Sequence, residues 1–107
     1  MNQEHTHRQD PDTRLQSILD AAVALAAKEG YRVISRGQIA EAAGCAASLI
    51  SHYLGDMPAI RQAIMEEAIR VENIEIILQG IVVQDGLAKR APKRLRVAAQ
   101  NLLNADV

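Results

Sequence analysis

The sequence predicts an all-α protein. Apolar residues recur at intervals of three and four in several separate stretches, which is the spacing of helices with one buried face. Glycines and helix-capping residues stand between these stretches, where helices are expected to end and begin. The resulting order is a group of three helices, then one long helix, then one or two short C-terminal helices.

The composition limits how this protein can build a core. The 107 residues contain no Trp, no Phe and only two Tyr, so the core must be largely aliphatic. Ala-rich cores bury little area per residue, and one copy of the chain is therefore expected to be marginally stable, which favours an oligomer. The formal net charge of −1 is not that of a protein that binds DNA by bulk charge alone.

Several classes of function have no support in the sequence. His5 and His7 have no third ligand beside them, so no metal site is predicted. Paired-carboxylate, phosphate-loop and nucleophile–base motifs are all missing, and we expect neither an enzyme nor a cofactor. The single cysteine, Cys45, is expected to pack as a small apolar residue, with a redox switch as the weaker alternative. Without a signal peptide or a long apolar run, a cytoplasmic protein without a membrane partner is expected.

The first helix is predicted to follow a polar, flexible arm at residues 1–12. Asp12 or Thr13 can cap it, and Gly30 ends it. One apolar stripe runs along it: Leu15, Ile18, Leu19, Ala22, Val23 and Ala26. This helix would support the two that follow, and Arg8 or Arg14 near its start are candidates for contact with DNA.

Two short helices joined by a tight turn are predicted next. Ser35 and Gln38 have the spacing of a capping box, and Gly44 ends the first of the two helices. The second would run from about residue 46 or 47 to residue 54, with Leu49, Ile50 and Tyr53 toward the core. Such a pair forms a helix-turn-helix, whose second helix can enter the major groove of DNA.

The remaining residues are predicted to form a helical tail. Asp56 can cap a long helix that runs to about residue 78 and is apolar on two sides, so its second side needs cover from the C-terminal segment or from another subunit. Gly80 is expected to interrupt the pattern, with short helices at about 81–90 and 92–104 beyond it. A basic cluster is interpreted first as a solvated helix face and second as a contact for phosphates or an acidic partner: Lys89, Arg90, Lys93, Arg94 and Arg96.

Taken in order, these motifs resemble the tetracycline-repressor (TetR) family of transcriptional regulators. The resemblance covers about residues 15–65 and rests on ILDAAVALAAKEGY, IAEAAGC and GDMPAIRQAIM. The chain departs from the family at Ala46 (often Ser or Thr), Ser51 (often aromatic), Leu54 (Phe) and Met57 (Lys). The last departure removes an expected phosphate contact.

The resemblance implies a sequence-specific regulator, most simply a dimeric repressor on an inverted repeat of double-stranded DNA. Members of that family are typically much longer, and their extra helices form a ligand pocket. We therefore expect a short form, with a DNA-binding domain at 13–56, a dimerisation segment at 57–107 and no small-molecule inducer. The alternative is a helix-turn-helix module that binds another regulator, which the near-neutral charge and Met57 favour.

The expected DNA contacts lie at the start of the first short helix and on the second: Ser35, Arg36, Ala46, Ala47, Ser48, Ser51, His52 and Tyr53. Alanine can touch a thymine methyl, serine can bond to several bases, and histidine can donate to guanine. Because the exposed half of the second helix has no Arg or Asn, readout of DNA shape is expected to contribute. The expected dimer interface lies on the tail: Ile69, Ile76, Leu95, Ala99, Leu102 and Leu103.

Overall fold

The computed structural model describes residues 10–105, and within them it contains helices and their connections without strands. The helices are α1 (Pro11–Glu29), α2 (Arg36–Ala43), α3 (Ala47–Leu54), α4 (Met57–Arg70), α5 (Ile74–Val82), α6 (Gly86–Lys89) and α7 (Lys93–Ala105). We call α1–α3 the head and α5–α7 the tail, with α4 between them. The all-α prediction, with a helix-turn-helix head, is confirmed.

Helix α1 begins earlier than the sequence suggested. Its cap is Asp10, whose carboxylate accepts the backbone N–H of Thr13 at 2.8 Å, and Pro11 occupies the first turn, where a missing N–H does no harm. The cap predicted at Asp12 or Thr13 was therefore wrong by two or three positions. Of the predicted arm, residues 1–9 lie outside the described residues, and with them the suggestions for His5, His7 and Arg8. The predicted stripe is buried at Ile18, Ala22, Val23 and Ala26.

The long helix predicted to reach residue 78 is in fact two helices. Helix α4 ends at Arg70, Glu72 adopts a left-handed backbone with φ of 60°, and Asn73 starts α5 by accepting the N–H of Ile76 at 3.1 Å. Apolar residues continue on both sides of the break, because both helices contribute buried residues to the same core. Asn73 was the signal for the break, since Asn is a preferred N-cap.

Gly80 does not interrupt a helix as predicted; it lies inside α5 and is buried. A Cβ on Gly80 would stand 2.5 Å from Met65 Cε and 2.6 Å from Ala88 Cβ. The glycine therefore allows α4, α5 and α6 to approach closely. The helix predicted at 81–90 is also replaced: α5 ends at Val82, and the single turn of α6 follows a cap at Asp85.

The second apolar side of α4 is covered by the chain's own tail. Met65 and Ile64 are fully buried, and Ile76 and Ile77 of α5 join the same core as the head residue Ile18. The sequence left open whether the tail or another subunit supplies this cover. The structure shows that the tail does, and the protein therefore has one continuous core.

This packing changes the expected dimer interface. Ile76, Leu95 and Ala99 are all at most 3% exposed, because α5 and α7 pack against each other within one chain. These three side chains belong to the core and are not available to a second copy. Ile69 is half-buried, whereas Leu102 and Leu103 remain exposed.

Polar side chains tie the tail and α4 to the head. Gln79 of α5 accepts the backbone N–H of Tyr31 at 2.8 Å and donates to the carbonyl of Ala26 at 3.1 Å. The Tyr31 hydroxyl donates to Asp85 at 2.7 Å. These bonds fix the end of α1 in the head to α5 and to the cap of α6 in the tail.

Among the helices of residues 10–105, none combines the length and the apolar character that a membrane span requires.

Candidate nucleic-acid interface

The start of α2 has the predicted capping box. Ser35 Oγ accepts the N–H of Gln38 at 3.1 Å, and Gln38 Oε1 accepts the N–H of Ser35 at 2.8 Å. The box uses two backbone donors and leaves the N–H groups of Arg36 and Gly37 in the first turn for other acceptors. Because Ser35, Arg36 and Gly37 are all exposed, this end of α2 has the chemistry to bind a phosphate.

The turn between α2 and α3 depends on the backbone of Gly44. Its φ of 71° and ψ of 37° are left-handed, and its N–H is directed at the carbonyls of Ala40 and Glu41. A Cβ at this position would meet nothing within 4 Å, so the glycine is required by its backbone angle and not by space. Cys45 packs against the core beside it as a half-buried side chain, as expected for a small apolar residue.

Helix α3 presents a surface of small side chains. Ala46, Ala47, Ser48 and His52 are exposed, as predicted, but Ser51 is half-buried. Ile50 is fully buried and holds the helix on the head. Ala46 is the N-cap and makes no side-chain hydrogen bond to the helix. Without a serine or threonine at this position, the first N–H groups of α3 have no side-chain acceptor from the cap. They are available to an acceptor outside the protein.

A contact that the sequence did not reveal joins the two helices. Arg36 Nη1 donates to Ser51 Oγ at 2.5 Å, from the first turn of α2 to the middle of α3. The bond places an exposed guanidinium beside the small surface of α3, and its remaining N–H groups can reach a phosphate or a guanine. Arg36 was predicted at the α2 N-terminus only; a spacing of 15 residues gives no sequence signal for the pairing.

Tyr53 has a mixed environment. Its side chain is half-buried and packs against the core, as expected for one of the residues that hold α3. Its ring also meets the exposed ring of His52 edge-on, with 5.1 Å between the centroids. The pair leaves His52 as the main ring donor on the α3 surface, and Tyr53 orients it.

Met57 stands where the resembling family often has lysine. It is half-buried and packs against the core at the start of α4, while Asp56 caps that helix by accepting the N–H of Ala59 at 3.1 Å. The side chain at this position therefore stabilises the junction between head and α4. This position therefore lacks the positive charge that a lysine would supply.

The predicted basic cluster in the tail is partly neutralised by the chain itself. Arg94 forms an ion pair with Glu72, and hydrogen bonds from its guanidinium lower the pKa of the Glu72 carboxyl. Arg96 Nε donates to the carbonyl of Ala91 at 2.8 Å, and Lys89 Nζ donates to Gln84 at 3.2 Å. These three side chains bond within the chain, and both interpretations of the cluster stay predictions.

Glu67 is the buried charge that sequence reasoning missed. It lies on α4 with 6% of its surface exposed, accepts two hydrogen bonds from Arg70 at 2.9 and 2.5 Å, and accepts one from Gln16 of α1 at 2.9 Å. Arg70 first and Gln16 second lower the pKa of the Glu67 carboxyl, against the opposing effect of burial. The spacing from Glu67 to Arg70 suits an ion pair, but nothing in the sequence shows that Gln16 covers it.

Comparison with known proteins agrees with this geometry for the head. Residues 18–64 match the family described as bacterial regulatory proteins, tetR family. The match begins in α1, contains the whole helix-turn-helix and ends within α4. Comparisons with curated proteins and with solved structures gave no match.

Proposed function

We propose that this chain is a DNA-binding transcription regulator of the tetR type, a dimeric repressor that occupies an inverted repeat of double-stranded DNA, because residues 18–64 match the model of that family. Helix α3 would lie in the major groove, and the start of α2 would hold a backbone phosphate. The observation that carries the proposal is the exposed surface of α3 with the Arg36 guanidinium bonded beside it.

The shape of this surface supports entry into the groove. Ala46, Ala47 and Ser48 are small, so the first turn of α3 can approach base edges closely, and the N–H groups at its uncapped start can bond to a phosphate. Ser48 and His52 lie four residues apart and share one side of the helix. Together with Arg36, they form the set of donors we assign to DNA.

The tail has features expected of a dimer interface. Val82, Val83, Leu102 and Leu103, which we call the tail apolar patch, are exposed by 61%, 44%, 37% and 40%. They lie at the ends of α5 and α7, and three of them border one groove of about 670 Å³. Burying such side chains against a second copy removes apolar surface from water, which stabilises an otherwise marginal chain. Two heads on one dimer would then add their binding energies at two half-sites.

We also propose that repression needs no inducer enclosed within the tail. The interior between α5 and α7 is filled by Ile76, Ile77, Leu95 and Ala99, each at most 3% exposed. The concave surfaces around the tail are open grooves. Occupancy of DNA would then follow the concentration of the protein in the cytoplasm.

Selection from random DNA tests the function. The purified protein is incubated with a pool of random duplexes, bound duplexes are enriched, and the best is titrated by fluorescence anisotropy at two salt concentrations. We expect an inverted repeat that binds at least about a thousandfold more tightly than a scrambled duplex, with affinity falling as salt rises. Failure to enrich any sequence would reject a sequence-specific regulator.

A double substitution tests the assigned surface. Ser48→Ala with His52→Ala removes two donors from exposed positions of α3, so DNA affinity should fall at least about tenfold while the free energy of unfolding changes little. Gln100→Ala with Asn101→Ala, on the exposed side of α7, is the matched control and should bind like the parent protein. Equal affinity in both variants would show that α3 does not read this DNA.

Charge on the tail apolar patch tests the dimer. Val83→Lys with Leu103→Lys should give a monomer in sedimentation-velocity ultracentrifugation, because two unpaired ammonium groups oppose burial of the patch. Val71→Lys, at an exposed valine outside the patch, is the control and should remain dimeric. A parent protein that is monomeric at micromolar concentration would contradict the proposal.

The alternative, an interaction module on the helix-turn-helix fold, has two observations in its favour. Met57 packs into the core where a phosphate-binding lysine is typical of the family, and the net charge of the chain is −1. The same experiments separate the two functions. Absent DNA binding, combined with loss of a protein complex on substitution of Ser48 and His52, would favour the module.

A further inference from the structure

A second polar site lies on the seam between head and tail, away from the α3 surface. An open pocket of about 460 Å³ is bordered by the loop after α1, the first turns of α4 and the segment from Asp85 to Arg90, which contains α6. Each of these segments contributes one arginine: Arg32, Arg61 and Arg90. Three arginines from separate parts of the sequence thus border one space, which no periodicity in the sequence could reveal.

The pocket has an excess of positive charge. Its lining contains one carboxylate, Asp85, whose oxygens already accept the Tyr31 hydroxyl at 2.7 Å and the backbone N–H of Leu87 at 2.8 Å. The two ion pairs found within residues 10–105 involve neither Asp85 nor any of the three arginines. The lining therefore carries three positive charges against one negative charge, and two positive charges lack a counter-charge.

Arg61 gives the strongest indication of a ligand. Its Nε is buried and has no hydrogen-bond partner in the part of the chain that the structure describes. Buried polar groups are almost always bonded, so this donor without a partner calls for an acceptor that the described residues do not supply. The guanidinium of Arg90 lies close to the backbone of Gly86, because its Nη1 would stand only 3.1 Å from a Cβ at that position. The absence of a side chain on Gly86 therefore leaves room for the guanidinium.

We propose that this pocket binds the phosphate group of a small phosphate monoester. Such a group carries close to two negative charges at pH 7, which balances the excess charge of the lining. Its oxygens suit the planar forks of several arginines better than a single carboxylate does. The volume is within the range of roughly 300–1,000 Å³ usual for small-molecule sites, so the organic part can lie against Pro58 and Leu87.

The bound phosphate would join three parts of the molecule. Arg32 belongs to the head, Arg61 to α4 and Arg90 to the tail, so one ligand would brace the tail against the head at the Tyr31–Asp85 contact. This site is open and lies on the seam, unlike an inducer cavity enclosed in the tail. The inference goes beyond the proposed function and does not depend on DNA binding.

Thermal unfolding of DNA-free protein tests the site. Phenyl phosphate is titrated at constant ionic strength, with sodium benzoate as the probe that has the same ring but a single carboxylate. We expect a saturable rise in Tm with phenyl phosphate, as for any ligand that binds only the folded state, and a much smaller one with benzoate. Isothermal titration calorimetry of Arg90→Gln and Arg61→Lys should show at least a tenfold loss of affinity.

Matched controls keep the result interpretable. Lys93→Gln removes one exposed positive charge of the tail outside the pocket lining and should retain the parent affinity. Arg61→Lys keeps the charge but lacks the fork, so its loss cannot be attributed to net charge, and circular dichroism confirms that it folds. An unsaturable Tm change, an equal effect of benzoate, or full affinity in both arginine variants would overturn the proposal. So would an arginine-dependent shift with duplex DNA and none with phenyl phosphate.

Discussion

The turns between helices are built from different residues in the head and in the tail. The head turns use glycines at positive φ, at Gly30, Gly44 and Gly55, where glycine is at no disadvantage. The tail turns place Glu72 and Gln84 at φ of 60° and 63°, where a side chain costs roughly 1–2 kcal/mol. The turns of the head are therefore marked by glycines in the sequence. The turns of the tail place residues with side chains in a left-handed backbone conformation, which packing must stabilise.

The two regions also differ at their surfaces. Of the seven exposed large hydrophobic side chains in residues 10–105, six come after Arg70 and one, Val33, lies in the head. The head thus completes its burial within one chain and exposes small polar groups on α3. The tail is left with apolar surface, which agrees with assigning DNA to the head and a second copy to the tail.

The largest effect is expected at the tail glycine. Gly80→Ala places a Cβ within 2.6 Å of Ala88 Cβ, which is attached to backbone and cannot swing away. Urea unfolding should show a loss of about 1–3 kcal/mol, as for other overpacked cores. The head glycine Gly37 is the control, since a Cβ there meets only Ser35 Oγ at 3.8 Å. Gly37→Ala should stabilise the protein by roughly 0.5–1 kcal/mol. Equal changes in stability for Gly80→Ala and Gly37→Ala would mean that α4, α5 and α6 leave room for a methyl group at Gly80.

The next largest effect is expected at Gln79, whose side chain joins the tail to the head. Gln79→Ala leaves the backbone N–H of buried Tyr31 without its acceptor, and unfolding should become easier by about 1–3 kcal/mol. Gln100→Ala, exposed on α7, removes the same amide and should change stability little. Hydrogen exchange at the Tyr31 amide measures the bond directly. Unchanged protection in Gln79→Ala would show that head and tail are held together by apolar packing alone.

The hydrogen bond from the Tyr31 hydroxyl to Asp85 is the second contact between head and tail, and Tyr31→Phe tests it through the pH dependence of stability. Burial, followed by the hydrogen bond and charge of Asp85, raises the pKa of Tyr31 from 10.0 to about 12. A raised pKa means that the folded state favours the neutral phenol, so its contribution is complete below pH 10 and is lost as pH rises toward 12. At pH 8 the phenylalanine variant should be less stable by about 1 kcal/mol.

The gap between parent and Tyr31→Phe should then narrow between pH 10 and 12, measured by urea unfolding at each pH. Tyr53→Phe is the control, because that half-buried ring lies on α3, away from the contact between Tyr31 and Asp85. If the difference in free energy of unfolding stays constant from pH 10 to 12, the loss in Tyr31→Phe comes from packing and not from the hydrogen bond of the hydroxyl.

The smallest effect tests the tail turns themselves. Gln84→Gly replaces a left-handed glutamine by the residue that accepts this backbone best, so the protein should gain about 0.5–1 kcal/mol. The bond from Lys89 to Gln84 is exposed, and its loss offsets little of the gain. Gly44→Ala in the head, at φ of 71°, is the mirror experiment and should destabilise by about 1 kcal/mol. A destabilised Gln84→Gly would mean that the head and tail turns do not differ in this way.

The head could be predicted from sequence because its signals are local. The Ser35–Gln38 box, the end of α2 at Gly44 and the cap at Asp56 each involve residues a few positions apart. The same reasoning missed Arg36 on Ser51 and Gln16 on Glu67, since those partners are 15 and 51 positions apart. Which polar groups meet depends on how helices cross, and that is set by the whole core.

The sequence by itself determined that the chain is helical, where the helix-turn-helix lies and which side of α3 is exposed. Capping, glycine backbone freedom and apolar spacing act over one or two turns and need no partner. The tertiary structure alone decided that Gly80 lies inside a helix and that Leu95 and Ala99 are core. It also brought Arg32, Arg61 and Arg90 to one pocket, because only packing brings together residues that are far apart in the chain.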